Sequence, residues 1–283
     1  TLSSGETKDY YIAVYVQESD YEQNYSDTGR FSGTVTVKSV NGLDTGDYVK
    51  MTPTKSSYTT DTSMTGNTET QTINPQELNL WRVISLNSDG TVDLISEHVS
   101  TNGVYFEGKI GYFNLIGYLN VLASQYENST YTKGSRYFGY NGQTEYITDT
   151  SKFTNSAPWT CETGESCNSV ESQGGGDTLY QKDYDLVKNA IGTLEATQVN
   201  GSSSDYWIAS RYYNYYDVTV YGLLGRIIEY WGVLDYYPLY SSNFSSFGGL
   251  SYINALRPIV TLKSGLKYSG LGTEEDPYTL SVS

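Results

Sequence analysis

Two runs near the C-terminal end of the chain decide the fold: YWIASR at residues 206–211 and LRPIVTL at residues 256–262. Both are rich in β-branched and aromatic residues, so each predicts a β-strand. Pro258 cannot donate to a strand ladder and is therefore expected at the start of its strand or at a sheet edge. Trp207 is expected in the core. For Arg257 two alternatives stand, a buried contact that fixes the last strand or an exposed surface position.

The segment between these runs, within 206–254, is rich in tyrosine, which clusters at 212–217, 230–231 and 235–237. Tyrosine offers a large contact area at low entropic cost, and Ser and Asn offer adaptable hydrogen bonds. The clusters lack clean alternation, which predicts turns and favours recognition. The alternative is that tyrosine occupies exposed strand faces through β-propensity alone. The predicted contact residues are Tyr213, Asn214, Tyr215, Tyr216, Asp217, Tyr230, Trp231, Asp235, Tyr236, Tyr237, Asn243, Phe244, Phe247, Tyr252 and Asn254.

Two helices are expected upstream of this segment. A helical spacing of apolar residues predicts the first helix from about Gly111 to Tyr126. A capping box and an apolar stripe predict the second helix from about Leu179 to Ile191, with Gly192 as its C-terminal stop. The two apolar stripes consist of Phe113, Ile116, Leu119 and Leu122, and of Tyr180, Tyr184, Val187 and Ile191.

Several further strands complete the prediction. A hairpin is expected from Trp81–Ser85 and Val92–Ser96, joined by a turn at 87–90, and another strand is expected at 218–223. Gly222, Gly225 and Gly232 are expected to permit turns. Two N-terminal strands are predicted from alternating apolar residues at Tyr11–Gln17 and Thr34–Lys38.

The domain division follows from a polar stretch at 55–73, which has little to bury and is interpreted as a linker or a long exposed loop. Residues 1–73 then form a small β-rich N-terminal region with its linker. Residues 74–283 form the second domain, which contains the segment 206–254. The predicted class is α+β, with two helices and short antiparallel strands.

Composition excludes several classes of function. The chain has 283 residues, with 17 Lys and Arg against 32 Asp and Glu, and a formal net charge of -15. That balance argues against nucleic-acid partners and against docking on anionic lipid. The single histidine removes His-dependent triads and most metal sites, so we predict no catalytic residue, metal or cofactor. The chain starts at Thr1 and is interpreted as a mature or trimmed fragment.

The two cysteines, Cys161 and Cys167, flank an acidic segment. A reactive thiol is one interpretation, but acidic neighbours raise a thiol pKa and disfavour the thiolate. A short disulfide loop in an oxidising compartment is favoured. This predicts an extracellular, cell-surface protein.

The two helices, the run at 206–211, the Tyr/Asn/Ser/Asp-rich segment and the closing run at 256–262 together resemble a C-type lectin fold. The branch that the chain is similar to includes formylglycine-generating-enzyme-like domains and the target proteins of diversity-generating retroelements. In those targets a reverse transcriptase mutates template adenines, and the residues after Arg211 are drawn heavily from the resulting amino acids. Residues 81–84 and 272–278 also resemble surface domains of Gram-positive gut bacteria, some of which follow a pilin-like or membrane-anchoring helix. The resemblance covers roughly residues 78–283.

Departures from these families limit what the resemblance implies. Calcium-dependent sugar-binding lectins use an Asn-Pro or Pro-Asp tripeptide with a Trp-Asn-Asp, and Trp207 is followed instead by Ile208 and Ala209. Asn74-Pro75 lies outside the matched region. Formylglycine-generating enzymes use a C-terminal cysteine pair, and no cysteine follows Cys167. The resemblance therefore implies neither a calcium-bridged sugar site nor that catalysis.

Three hypotheses of function remain at this point. The first is an adhesin or receptor whose diversified segment binds a protein or glycan on another cell or a phage, attached to a membrane or pilus through a preceding N-terminal segment. The second is a structural subunit of a pilus or surface layer, with the tyrosine-rich face as a subunit interface. The third is a carbohydrate hydrolase, although no motif singles out a carboxylate pair.

Overall fold

The computed structural model describes residues 42–135, 178–217, 220–241 and 253–282, all within one compact unit that spans Ser39–Ser283. The strands are β1 (Tyr48–Lys50), β2 (Tyr58–Thr59), β3 (Thr72–Ile73), β4 (Leu80–Leu86), β5 (Val92–Ser96), β6 (Thr132–Ser135), β7 (Tyr206–Asp217), β8 (Val220–Ile228), β9 (Leu234–Ser241), β10 (Ala255–Leu256), β11 (Ile259–Leu262), β12 (Lys267–Ser269) and β13 (Tyr278–Ser281). The helices are α1 (Thr62–Thr65), α2 (Gly108–Ser124) and α3 (Thr178–Ile191), with a short 3-10 helix at Pro75–Glu77. The predicted α+β class is confirmed.

The larger sheet has the strand order β12-β13-β1-β4-β5-β11-β6. Its strands pair antiparallel except for β1 and β13, which are parallel. The predicted hairpin is confirmed as β4 and β5, which the Asn87–Thr91 turn connects. Trp81, central in this sheet, is fully buried and donates from its indole nitrogen to the Met51 carbonyl at 3.0 Å.

The second sheet has the order β10-β7-β8-β9, in which β7, β8 and β9 form an antiparallel meander and β10 lies parallel to β7. The expectation of one strand over 256–262 was wrong. Leu256 pairs with Trp207 in the second sheet, whereas Ile259–Leu262 pairs with β5 in the larger one. The chain crosses between the sheets at Arg257-Pro258, where Pro258 has no N–H to continue a ladder.

The tyrosine clusters at 212–217 and 235–237 were expected in turns, and this was also wrong. They lie within β7 and β9. Tyrosine has a high β-propensity, and antiparallel pairing continues through both clusters. The predicted strand at 218–223 corresponds to β8, which extends to Ile228.

Both predicted helices are present as α2 and α3. Ile116, Leu119 and Leu122 are buried as predicted, but Tyr112, Leu115 and Tyr118 are buried as well. Helix α2 is therefore enclosed on more than one face. In α3, Val187 is buried. The helix stops at Gly192, which has φ 80° and donates its N–H to the Lys188 carbonyl at 2.9 Å, as predicted. The side chains of Phe113, Tyr180 and Tyr184 lie outside the described part.

The core consists of two clusters of buried side chains. The larger one joins α2 to both sheets through residues such as Trp81, Leu115 and Trp207. Trp207 is 3 % exposed, as predicted, and donates to the Val104 carbonyl at 2.7 Å. Gly225 makes room for it, because a Cβ there would lie 2.6 Å from the Trp207 ring. Gly225 and Gly222 thus lie in β8 and form no turn, which corrects the expectation for both.

The smaller cluster lies between α3, β5 and the start of the second sheet, and Val187, Leu194, Tyr206 and Ile228 belong to it. The Arg257 side chain lies beside this cluster and is 9 % exposed. Its Nε donates to the Ser96 carbonyl at 3.1 Å, and its Nη1 donates to the Leu194 carbonyl at 3.1 Å. Of the two alternatives for Arg257, the buried contact is the one found.

The polar stretch 55–73 is not a linker. It forms β2, α1 and β3, and Thr60, Thr65 and Ile73 are buried. The Tyr118 hydroxyl of α2 accepts from the Asp61 backbone N–H at 2.6 Å. Polar residues pack here because their hydrogen bonds are satisfied. The unit extends N-terminally of residue 73, where we expected a boundary. The predicted strands at Tyr11–Gln17 and Thr34–Lys38, and the Cys161–Cys167 pair, lie outside the described residues.

Candidate binding surface

The clearest surface feature is an aromatic turn, residues Glu229–Val233, that joins β8 to β9. The Glu229 N–H donates to the Val233 carbonyl at 2.9 Å, and the Gly232 N–H donates to the Glu229 carbonyl at 2.8 Å. Gly232 has φ 79°. A three-residue hairpin loop with a glycine in the left-handed region closes in this way. The glycine at 232 was thus correctly expected to permit a turn.

The tip of the aromatic turn is apolar and exposed. Tyr230 is 50 % exposed, Trp231 48 % and Val233 52 %. The two aromatic rings lie edge to face, with centroids 4.3 Å apart and an interplanar angle of 70°. Edge-to-face packing stabilises an aromatic pair beyond its buried area, so the rings support each other while half of each remains accessible.

Asp205 holds this turn in place. One carboxylate oxygen accepts the Tyr230 backbone N–H at 2.9 Å, and the other accepts the Tyr237 hydroxyl at 2.8 Å. The Asp205 carbonyl also accepts the Ala255 N–H at 2.8 Å. One residue thus connects the aromatic turn, β9 and β10. Sequence reasoning missed Asp205 because a carboxylate ahead of a strand carries no signal of partners so distant along the chain.

Carboxyl groups surround the base of the turn, and the pKa values of two groups there are raised. Partial burial, and then the hydrogen bond to Asp205, raise the pKa of Tyr237 far above its usual value. Partial burial, and then a hydrogen bond with the Asp235 carboxyl, raise the pKa of Glu229 above 4.5. Two carboxyl groups that share a hydrogen bond favour retention of one proton.

This carboxyl pair does not have the geometry of a glycoside hydrolase. Retaining enzymes separate their two carboxyl groups by about 5 Å so that the sugar fits between them, and inverting enzymes separate them further to admit a water as well. Glu229 and Asp235 are instead directly hydrogen-bonded. This pair therefore lacks the separation that those enzymes require.

The predicted contact residues do not form one site. Tyr230, Trp231, Asp235 and Tyr237 lie together at the end of the second sheet where Asp205 is located. Strand β7 runs away from that end: Tyr206 pairs with Ile228, and Tyr213 pairs with Leu223, which lies roughly 17 Å further along β8 at the usual rise per residue. The contact residues Tyr213, Asn214, Tyr215, Tyr216 and Asp217 therefore lie towards the opposite end of the sheet.

The predicted contact residues of β7, and Tyr236 of β9, belong to described strands. Their side chains lie outside the description. Asn243, Phe244, Phe247 and Tyr252 lie outside the described residues altogether. Asn254 is corrected, because it is 2 % exposed and its backbone bridges Val104. A residue so buried does not contact a partner at the surface.

Among the described residues, no group of three or more His, Cys, Asp or Glu side chains is placed to hold a metal ion. None of the described helices has the length and apolar character that crossing a membrane requires. Comparisons of the whole chain with family models, curated proteins and solved structures found no match.

Proposed function

We propose that the chain is an extracellular binding protein of the adhesin or receptor type. In this proposal the segment 206–254 binds a protein or glycan on another cell or on a phage. The observation that carries it is the aromatic turn, where Tyr230 and Trp231 are about half exposed. Tyrosine and tryptophan are the residues that most often dominate binding energy at interfaces.

The rigidity of the turn supports the same proposal. Its backbone is closed by two internal hydrogen bonds and fixed from outside by Asp205. A surface that is already ordered loses less entropy on binding, so more of the contact energy appears as affinity. A pair of half-exposed aromatic rings on a mobile loop would lack this advantage.

The acidic surroundings suggest the charge of the partner. Glu229, Asp235 and Asp205 lie beside the exposed rings, and the whole chain carries a formal net charge of -15. Like charge opposes association, and opposite charge accelerates it. The proposed partner therefore has a neutral or basic surface, and nucleic acid is not proposed.

We further propose a C-type lectin-like fold with a segment diversified by a retroelement. The support is the order of elements: α2 and α3 precede the β7-β8-β9 meander, and a closing strand follows the Tyr-rich segment. The buried Trp207 and the buried Arg257 contacts fit framework roles on either side of that segment. Attachment to a membrane or pilus through a preceding segment belongs to the same proposal.

Diversification is tested by sequencing the codons for residues 206–254 in a natural population of the source organism. Substitutions confined to template-adenine positions, with Trp207, Arg257 and Pro258 constant, are the expected result. An invariant segment would remove the retroelement from the proposal and leave a fixed binding surface.

Binding is tested with the double variant Tyr230→Ser, Trp231→Ser, compared with the wild-type chain on glycan arrays, bacterial cells and phage particles. We expect at least a roughly tenfold loss of affinity, because aromatic hot spots commonly cost about 2 kcal/mol or more when removed. The matched control is Leu271→Ser, which alters a residue that is 65 % exposed elsewhere on the surface. Equal binding by all three proteins would overturn the role of the aromatic turn.

The alternative is a structural subunit of a pilus or surface layer. Growth by strand addition would use an edge strand, and β9 is the edge strand next to the aromatic turn. Pro238 lies within β9, and a proline at an edge removes a donor and hinders such pairing. Sedimentation over a concentration series separates the two functions: self-association that is lost with Tyr230→Ser, Trp231→Ser would favour the subunit.

A further inference from the structure

A cavity lies between the two core clusters. It has a volume of about 120 Å³ and is bounded by α2, α3, β5, β7, β8 and the crossing at Arg257-Pro258. Leu119, Val187 and Trp207 are among the side chains that form its walls. An apolar cavity of about 150 Å³ is large enough to hold benzene, so this one suits a molecule with a few carbon atoms.

Two buried polar groups of the wall lack good hydrogen bonds. Asn120 is 5 % exposed, and its Nδ2 amide donor makes no hydrogen bond. Tyr126 is fully buried, which raises the pKa of its hydroxyl, and among the described residues the Ser100 side chain is the one hydrogen-bonding group near that hydroxyl. A buried donor without an acceptor costs about 1 to 3 kcal/mol, and such groups are uncommon in native proteins.

The third polar group of the wall is a buried cation. Arg257 donates to the Ser96 and Leu194 carbonyls and to the Tyr206 hydroxyl. All three acceptors are neutral. Within the described part of the chain, Arg257 forms no ion pair, and its Nη2 makes no hydrogen bond. A buried charge is costly unless an opposite charge compensates it.

The polar groups of the wall that lack full hydrogen bonding can all act as donors. The Asn120 amide nitrogen and the Arg257 guanidinium only donate, and the Tyr126 hydroxyl can donate. The other polar tips are already satisfied, since Trp207 donates to Val104 and Tyr206 donates to Leu194. An occupant that satisfies this wall must supply acceptor oxygens, and the guanidinium favours a negative charge on them.

We propose that the cavity binds one small carboxylic acid, in its ionised form, with a short apolar chain. The chain occupies the apolar walls, and the carboxylate accepts from Arg257 and Asn120. This site is separate from the proposed function of the aromatic turn, and neither depends on the other. No covalent step is involved.

The experiment compares three probes of nearly equal shape: butanoate, butanamide and butylammonium. Binding is followed by calorimetry and by the melting temperature of the full chain. We expect butanoate to bind saturably and to raise the melting temperature, with an affinity about tenfold above that of butanamide, because hydrogen bonds to charged groups are the stronger ones. Butylammonium is expected not to bind.

Variants of wall residues test whether butanoate binds in the cavity. Ala123→Leu fills the cavity and should abolish butanoate binding. Ala190→Leu, at a partly buried alanine of α3 that is not among the wall residues, should leave binding intact. Asn120→Leu removes a donor that has no partner in the free protein, so the chain should remain folded while butanoate affinity falls about tenfold.

Three outcomes would overturn the proposal. The first is no saturable binding of butanoate, which would mean that the cavity holds only water or nothing. The second is equal binding of butanoate and butylammonium, which would remove the role of Arg257. The third is a rise in melting temperature that persists in Ala123→Leu, since such a rise comes from the salt acting on the solvent.

Discussion

Two hairpin turns of this molecule share one backbone geometry and carry different side chains. In the β4–β5 turn the Asn87 N–H donates to the Thr91 carbonyl at 2.9 Å, and in the β8–β9 turn Glu229 donates to Val233 at the same distance. The glycine before the last position is Gly90 in one turn, with φ 78°, and Gly232 in the other, with φ 79°. The difference between the turns lies at their two central positions.

The first turn uses one of its central side chains, Asp89, to stabilise itself. Asp89 accepts the Thr91 N–H at 3.1 Å and the Thr91 hydroxyl at 2.5 Å, and it pairs with Lys133 at 3.1 Å. The second turn has Tyr230 and Trp231 in these positions, and its support comes from Asp205 outside the loop. Because an external residue holds the backbone, the tip can carry exposed aromatic rings. This division of roles is what points to recognition at the second turn.

The largest expected effect comes from removing the external support. Asp205→Ala loses the hydrogen bonds to the Tyr230 N–H and the Tyr237 hydroxyl. We expect it to lower the free energy of unfolding by about 2 kcal/mol, since hydrogen bonds to charged groups are worth about that much. Urea unfolding measures this. Asp205→Asn keeps one acceptor oxygen and should lose less. If Asp205→Ala unfolds at the same urea concentration as the wild type, the second turn supports itself and the comparison fails.

The next largest effect is expected from replacing the glycine of either turn. A side chain in the left-handed region costs about 1 to 2 kcal/mol, so both Gly90→Ala and Gly232→Ala should destabilise the chain. The loss at 232 should be larger, because its Cβ would lie 3.1 Å from both the Cγ and the backbone nitrogen of Glu195. At 90 the nearest atom is Ser264 Cβ at 3.3 Å. Thermal unfolding of both variants gives the order, and a larger loss at 90 would contradict it.

A smaller effect is expected from exchanging the tips. Ser88→Tyr with Asp89→Trp places the aromatic pair on the first turn and removes the hydrogen bonds of Asp89 to Thr91. We expect a loss of about 1 kcal/mol and no new binding in the glycan and cell assays, since Asp205 and the carboxyl pair are absent there. Tyr230→Ser with Trp231→Ser should stay within about 0.5 kcal/mol of the wild type. Binding gained by the first variant would show that exposed rings alone suffice.

The sequence predicted the first turn and only part of the second, for a physical reason. Residues 87–90 end in glycine and consist of residues that favour turns, so the local signal is complete. The second tip, Tyr230-Trp231, has no turn preference, and only Gly232 indicated the reversal. The prediction placed Gly222 and Gly225 in turns as well, although Gly225 serves a contact with Trp207 across the sheet. A contact of that kind is invisible in local patterns.

The core was predictable where one residue type implies one environment. Trp207 was expected to be buried, and Val187, Ile116 and Leu122 followed from helical spacing. Asn254 was misassigned because an asparagine in a polar segment resembles a surface residue, whereas its bridge to Val104 depends on a long-range pairing. Asp205 was missed for the same reason, since its partners are Tyr230 and Tyr237. Local patterns therefore predicted helices, strands and core residues. The residues of the candidate site depend on partners that are distant along the chain.

The smallest expected effects come from acid, and they have opposite signs in the two turns. Hydrogen bonds from the Thr91 side chain and backbone, and then from Lys133, lower the pKa of Asp89 from 3.8 to about 2. The stability that its carboxylate contributes is present above pH 3.8 and is lost as the pH falls towards 2. Partial burial and the Asp235 hydrogen bond raise the pKa of Glu229 above 4.5. Protonation of Glu229 therefore stabilises the second turn, and that stability is lost as the pH rises above 4.5 through the raised pKa.

Carboxyl titration by NMR reads both groups in one experiment. Asp89→Asn should remove the loss of stability between pH 3.8 and 2, whereas Asp235→Asn should bring the pKa of Glu229 down towards 4.5. Because the carboxyl pair lies at the base of the aromatic turn, a basic partner that binds there should also lower the pKa of Glu229 and release its proton. If Asp89 and Glu229 shift in the same direction, the two turns do not differ electrostatically, and charge no longer distinguishes the turn that stabilises itself from the turn proposed to bind.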